Sequence, residues 1–392
     1  MSLSADDPPG PVTASDSSRD KHLFGPGAKR VLALDGGGIR GAIAIAFLER
    51  MEAVLAQHEG RAVRLGDWFD LVGGTSTGAV IAGAVALGLT VADLKHFYLG
   101  LAPRVFRRPF WRIMGLQAKF DAGALRREIE SVVGDRTLDS ADLVTGLGVV
   151  TKRMDTGSPW IVANNPRAPY WETPADRSFI GNRHYRLANL LRASTAAPAY
   201  FDPEELPIVE GAAHGLFVDG GVTPHNNPAL ALFLMTTLKA YGLCWTADPR
   251  RLLLVSIGTG AYRSALTAVR ARRIRAIGLA ISALATLIND GEALALTLMQ
   301  WLGECPTPWP VNSEIGALTG DGPPSGKLLR FVRYDVRIEA PWIAEMLDLK
   351  LSARDVTRVR RMDDPGAIPL AYEIGRRAAE RQVRAEHLLP AK

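Results

Sequence analysis

The stretch Phe69-Asp70-Leu71-Val72-Gly73-Gly74-Thr75-Ser76-Thr77-Gly78-Ala79-Val80-Ile81-Ala82-Gly83 carries an apolar run into Gly74-Thr75-Ser76-Thr77-Gly78, a G-x-S-x-G pattern, and then at once into a run of small residues that reads as a helix. A strand, a sharp turn and a helix around a serine make a nucleophile elbow. The turn forces Ser76 into a strained backbone position, and Gly74 and Gly78 leave room for the chain to reverse. It also sets the Ser76 hydroxyl at the positive end of the following helix, where a developing negative charge is stabilised. A glycine-rich turn without chemistry shows the same short pattern, so the flanking strand and helix carry the reading.

Working outward, Arg30-Val31-Leu32-Ala33-Leu34 is a continuous apolar strand that passes through Asp35-Gly36-Gly37-Gly38-Ile39-Arg40-Gly41 into a helix reaching about Gln57. Strands buried on both faces and joined through glycine turns to helices are the α/β signature. Further strands are expected at Gly146–Val150, Trp160–Ala163, Gly215–Val218, Arg251–Ile257 and Leu329–Val336, with helices between them. The fold class that follows is α/β, a three-layer sandwich with a mainly parallel central sheet and helices on both faces. Residues 1 to 29, rich in Ser, Asp, Pro and Gly, read as a disordered leader rather than a signal peptide. The main domain is expected over 30–335, and 336–392 as a helical extension packed on it.

Composition sets wide limits. The 392 residues, 47% hydrophobic and 22% charged, are those of a globular enzyme with a sizeable core. A formal charge of +5 favours anionic surfaces. Nucleic acid is not the expected partner, because no recognition fold is visible and the positive charge is spread along the chain. Cys244 and Cys305 lie far apart without metal-ligand spacing, which suits a reducing, cytoplasmic compartment.

Two segments admit two readings each. Arginines alternate with aromatics in Pro103–Arg112, which fits an interfacial loop making peripheral membrane contact, and fits equally a solvated loop whose rings tuck into the core. Ile277, Ile281, Leu284, Leu287 and Ile288 form one apolar stripe, either of a core helix or of a cap over an acyl-chain cavity flanked by Arg270, Arg272, Arg273 and Arg275. Asn289-Asp290-Gly291-Glu292 is expected to interrupt that helix before a second apolar stretch, so no uninterrupted run spans a bilayer.

Attack by Ser76 on a carbonyl needs oxyanion donors and a proton acceptor. The amides of Gly36, Gly37 and Gly38 stand at the carboxyl end of a neighbouring strand, where they can converge on one oxygen. Arg40 either adds charge for a phosphate-bearing substrate or ties down the helix start with a salt bridge. Gly36, Gly38 and Gly41 also spell G-x-G-x-x-G, but the acidic residues Glu59 and Asp67 precede the next strand instead of ending it, which disfavours a dinucleotide site. For the acceptor, His225 follows Asp219 closely enough to complete a Ser-His-Asp triad, whereas His387 reads as a surface residue. Alternatively Asp219, at a strand end before Gly220-Gly221 and partly desolvated, takes the serine proton directly.

These residues resemble the patatin-like acyl hydrolases and phospholipases. Asp35-Gly36-Gly37-Gly38-Ile39-Arg40-Gly41 is similar to that family's oxyanion-hole motif, Gly74-Thr75-Ser76-Thr77-Gly78 to its nucleophile motif and Asp219-Gly220-Gly221 to its base motif, in the family's order. Ala193–Phe201 and Ser256–Gly260 are also similar to family segments, and the resemblance covers roughly Arg30 to Gly260. Ala79 departs from the glycine of many members. The resemblance implies a Ser76-Asp219 dyad without catalytic histidine, metal or cofactor, acting on acyl esters of glycerophospholipids through an acyl-enzyme. A lipid- or partner-binding scaffold without activity is the alternative outside enzymology.

Overall fold

The computed structural model describes residues 17–106, 118–212, 214–262 and 276–389. Its centre is a nine-stranded sheet of β1 (Lys29–Leu34), β2 (Leu71–Thr75), β3 (Gly146–Arg153), β4 (Pro159–Ala163), β5 (Glu204–Pro207), β6 (His214–Asp219), β7 (Leu252–Ile257), β8 (Gly303–Glu304) and β9 (Leu329–Tyr334). The order is β5-β6-β3-β2-β1-β7-β9-β8, with β4 paired to β3 off this path. The run from β3 through β2, β1, β7 and β9 to β8 is parallel, and β4, β5 and β6 join antiparallel.

Alternation along β1 separates two cores. Leu32 and Leu34 point into one, shared with helices Gly41–Glu59, Thr77–Ala86 and Ile368–Gln382, while Val31 and Ala33 point into the other, shared with helices Ala229–Thr237 and Ala276–Leu302. The sheet is therefore covered on both faces, as its near-continuous apolar strands require.

Three expectations change. Residues from Ser17 onward are not a mobile leader: Ser17 accepts from the Asp20 amide and caps helix Ser18–Phe24, and Leu23 is buried in the second core. Residues 1–16 lie outside the described residues, as do 107–112 of the arginine-aromatic segment and Arg270, Arg272, Arg273 and Arg275. Asn289-Asp290-Gly291-Glu292 does not break its helix, which runs unbroken over Ala276–Leu302. A glycine inside a helix costs only about 1 kcal/mol, and here Glu292 turns inward to a buried arginine, Arg333, which holds the helix to the sheet. The chain also has strands β5 and β8 that periodicity did not reveal. Among the described residues no helix is long and apolar enough to cross a membrane.

Helix Ile368–Gln382 lies along Gly41–Glu59, and the Met362 carbonyl in the loop before it accepts from the Ile39 amide at 2.9 Å. That loop thereby reaches the Asp35–Gly41 turn.

Candidate active site

Ser76 sits at φ 55° and ψ −126°, in the left-handed half of the backbone map where a residue with a side chain is strained. The strain is imposed by close packing: a Cβ on Gly78 would stand 2.2 Å from the Leu34 carbonyl oxygen, and one on Gly74 would stand 2.1 Å from the Gly78 carbonyl carbon. Only glycines allow this turn to close. Its geometry is locked by Ser194, whose hydroxyl accepts from the Ser76 amide at 2.8 Å and donates to the Val150 carbonyl at 2.7 Å.

Sheet register brings the second residue in. Thr75 pairs with Val150 on β3, and the next β3 residue, Thr151, pairs with Asp219. Ser76 and Asp219 thus meet across one strand, 143 positions apart in sequence, and Ser76 Oγ donates to Asp219 Oδ2 at 2.6 Å. The other carboxylate oxygen accepts from the Gly221 amide at 2.7 Å. Asp219 is buried, and burial pushes its carboxyl up to about 6, while the Ser76 hydroxyl, the Gly221 amide and the charge of Arg192 pull it down. An acid poised there is ionised near neutral pH and basic enough to accept a hydroxyl proton.

The Asp35–Gly41 turn supplies donors, though not all three that its glycines suggest. The Gly36 amide donates to the Asn226 carbonyl at 3.1 Å and is spent. Among the described residues the Gly37 and Gly38 amides have no partner. Each is aimed by what holds the carbonyl across its peptide plane, since N–H and C=O of a trans peptide point in opposite directions. Thr259 Oγ1 donates to the Gly36 carbonyl at 2.8 Å and so orients the Gly37 amide. The Arg40 amide donates to the Gly37 carbonyl at 3.2 Å and so orients the Gly38 amide. Thr259 reaches its acceptor only because residue 37 has no side chain: a Cβ there would lie 2.2 Å from Thr259 Oγ1.

Arg40 is buried and forms no salt bridge among the described residues. It ties the turn down through carbonyls, with Nη1 donating to Gly260 at 2.9 Å. The start of the turn is anchored from further away. Arg333 donates to Asp35 and Asp335 at 2.7 Å each, to Glu292 at 3.1 Å and to Ser256 Oγ at 2.8 Å. Burial drives the Asp35 carboxyl up to about 8 and raises that of Glu292, against the pull of Arg333. Asp335 in turn accepts from the Gly260 amide at 2.9 Å, so one buried ionic cluster positions both loops that flank the site.

A cavity of about 480 Å³ opens on these groups. Ser76, Asp219 and Gly36–Gly38 line it, together with an apolar wall of Val80, Leu101, Val105, Phe106, Leu125 and Phe201. Gly41, Gly74, Gly78 and Gly220 support the turns from behind and do not face the cavity, whereas Gly221 does. His225 does not line it either. Its carbonyl accepts from Thr75 Oγ1 at 2.6 Å, its Nδ1 is buried without a partner, and no ring nitrogen bonds Asp219 or Ser76. His387 bonds the Tyr334 hydroxyl at 2.9 Å, away from the site. Sequence reasoning gave no role to Ser194, Thr259, Asn226, Glu292 or Arg333. The first two stand within segments already noted for their resemblance, but nothing local marked the last two.

The chain is similar to several known proteins. The chain is 30% identical over 236 residues to a cGAMP-activated phospholipase of Escherichia coli, covering 59% of this chain and 62% of that one. It is 32% identical over 235 residues to a cUMP-AMP-activated phospholipase of Escherichia coli, covering 59% and 65%. To patatin group J-1 of Solanum tuberosum it is 28% identical over 246 residues, covering 59% and 60%. The chain thus spans about three fifths of the length of these curated relatives. The model of the patatin-like phospholipase family matches residues 32–233, a stretch that begins in β1, takes in the Asp35–Gly41 turn and the elbow, and runs past Asp219. With just over half of the chain matched, and with all three motifs converging on one cavity, this protein belongs to the patatin-like phospholipase family.

Proposed function

We propose that the chain is a serine acyl hydrolase that cleaves acyl esters of glycerophospholipids with Ser76 as nucleophile and Asp219 as base. The observation that carries this reading is the 2.6 Å hydrogen bond from Ser76 Oγ to a buried carboxylate at the mouth of an apolar cavity, with no histidine between them. Ser76 Oγ attacks the ester carbonyl as its proton passes to Asp219 Oδ2. The charge forming on the carbonyl oxygen is taken by the Gly37 and Gly38 amides. Collapse of the tetrahedral intermediate expels the alcohol, which receives the proton from Asp219 and leaves an acyl-enzyme. Water, deprotonated by the same carboxylate, then attacks the acyl carbonyl, releasing the fatty acid and restoring the Ser76 hydroxyl.

Support comes from the family, from the names of the relatives, and from the apolar wall, which suits an acyl chain. The test is fatty-acid release from mixed phospholipid vesicles by the native chain, Ser76→Ala, Asp219→Asn and His225→Ala, each with and without cGAMP or cUMP-AMP, because two relatives are named for activation by those nucleotides. Loss in the first two variants with activity kept in the third supports the dyad. No release under any condition, together with no labelling of Ser76 by a fluorophosphonate, overturns the hydrolase reading and leaves a binding scaffold.

A further inference from the structure

One edge of the cavity is built from cations. Lys119 and Arg40 line it, as do Tyr200, Tyr262 and Met362. Lys119 Nζ stands 5.7 Å from the Tyr200 ring centre, and the guanidinium carbons of Arg40 and Arg360 stand 5.6 and 5.0 Å from that of Tyr262. Arg361 is near enough to Tyr200 to act on its hydroxyl electrostatically, as Arg40 does. Against these four positive charges, among the described residues, the same edge carries one carboxylate, Asp363, which pairs with both Lys119 and Arg361. Arg40 and Arg360 form no ion pair among the described residues, and they donate to the carbonyls of Gly260 and Ile338. Three acids also line the cavity: Asp35 and Glu292 are held by Arg333, Glu292 acting electrostatically on Arg40 as well, and Asp219 is held by the elbow. Lys119 and Arg361 thus face Asp363 alone as an ion-pair partner among the described residues. Lys119 keeps 36% and Arg361 56% of its side chain exposed, so both can turn toward a ligand.

Residues 361–363 lie beyond the stretch matched by the family model, yet the loop they form touches the Asp35–Gly41 turn through the Met362 carbonyl. Ser76, Lys119, Arg40 and the apolar wall line one cavity, and Arg361 stands outside its lining but pairs with the same Asp363 as Lys119. The set fits a ligand with an acyl chain at one end and an anionic group near the ester. We propose that Lys119 and Arg361, with Arg40 behind them, bind the phosphate of the lipid headgroup and make the site select phosphate-bearing acyl esters over neutral acylglycerols. The inference rests on the acyl-hydrolase reading for its substrate, but binding tests it without turnover. Hydrogen bonds from charged donors to phosphate are strong enough to change affinity about tenfold.

Ser76→Ala protein is titrated calorimetrically with monomeric dihexanoyl phosphatidylglycerol, with dihexanoylglycerol and with inorganic phosphate. The expected result is a Kd about tenfold lower for the phosphatidylglycerol than for the neutral lipid, with inorganic phosphate binding far more weakly than either. Adding Lys119→Gln and Arg361→Gln should remove most of that preference while changing the neutral lipid's Kd by less than about twofold, and Lys119→Arg should retain it. Arg376→Gln, which removes one positive charge from an outer helix, should leave the preference in place. Equal affinity for the two lipids, an equal loss for both in the double variant, the same loss in Arg376→Gln, or inorganic phosphate binding as tightly as the phospholipid would each overturn the proposal. Fatty-acid release measured in parallel keeps the two readings apart: selective binding without turnover counts against the hydrolase alone, and turnover without selectivity counts against the cationic edge alone.

Discussion

Replacing Asp219 by asparagine should slow the serine chemistry and stabilise the fold, and the two effects should separate along the pH axis. Burial holds the Asp219 carboxyl at about 6 against an ordinary 3.8. A rise of about two pH units corresponds to about 3 kcal/mol favouring the protonated form in the folded chain. The folded chain therefore holds this proton more tightly than the unfolded chain. That stabilisation is complete below the unfolded value of 3.8 and is lost as pH rises through about 6. At about pH 8 the native chain carries the whole cost of a buried carboxylate, which asparagine avoids, so Asp219→Asn is expected to resist urea by up to about 3 kcal/mol more. The difference should shrink as pH is lowered toward about 4.

Reactivity runs the other way. Only ionised Asp219 accepts the Ser76 proton, so phosphonylation of Ser76 in the native chain should fall about tenfold per pH unit below about 6. In Asp219→Asn the rate should be about 100- to 10,000-fold lower and show no limb near 6. Fluorophosphonate labelling followed across this pH range measures the chemistry without a lipid surface whose own charge titrates. A native profile flat between about pH 5 and 7, or a variant less stable than the native chain at about pH 8, would refute the assignment of Asp219 as a desolvated base.

Three further outcomes are expected. Thr259→Val keeps the side-chain shape but frees the Gly36 carbonyl, and should lower kcat about tenfold to 100-fold with little change in KM, while Thr259→Ser restores it; the full loss of one oxyanion donor costs about 100- to 1,000-fold. Arg333→Met strands Asp35, Asp335 and Glu292 in the interior and should cost about 3 to 5 kcal/mol in urea unfolding, partly recovered by adding Asp35→Asn. His225→Ala removes a ring that bonds neither Ser76 nor Asp219, so Ser76 labelling should stay within about twofold of native, and a loss on the scale seen for Asp219→Asn would revive the triad.

What the sequence disclosed about the site divides by range of interaction. The elbow was legible because its cause is local: Gly74 and Gly78 flank Ser76, and the contacts they relieve lie within the turn and the strand beside it. Asp219 was legible as a carboxylate at a strand end before two glycines. Its meeting with Ser76 needed the register of β3, which no spacing between residues 76 and 219 encodes. The Asp35–Gly41 turn was half legible. Three glycines announce available amides, but the loss of the Gly36 amide to Asn226 and the aiming of the Gly37 amide by Thr259 arise from residues about 190 and 220 positions away. Helix Ser18–Phe24 was missed although Ser17 is a good N-cap residue and Asp20 an acid in the first turn, because the Ser- and Asp-rich composition around them reads as disorder.

The continuity of helix Ala276–Leu302 shows why the missing part is missing. Asn289-Asp290-Gly291-Glu292 has the composition of a break, and in an isolated peptide that composition would weaken the helix. In the folded chain Glu292 meets Arg333, and the same guanidinium holds Asp35 and Asp335. One arginine thereby holds both the helix that lines the cavity and the start of the Asp35–Gly41 turn, across 298 residues of sequence. A buried cation among three acids cannot be identified before the strands are placed, since each residue alone reads as an ordinary surface charge. The turn that presents Ser76 is thus written in a short motif. The rigidity that makes the motif useful is supplied by long-range ionic and carbonyl contacts, and the Thr259 and Arg333 variants measure how much activity depends on it.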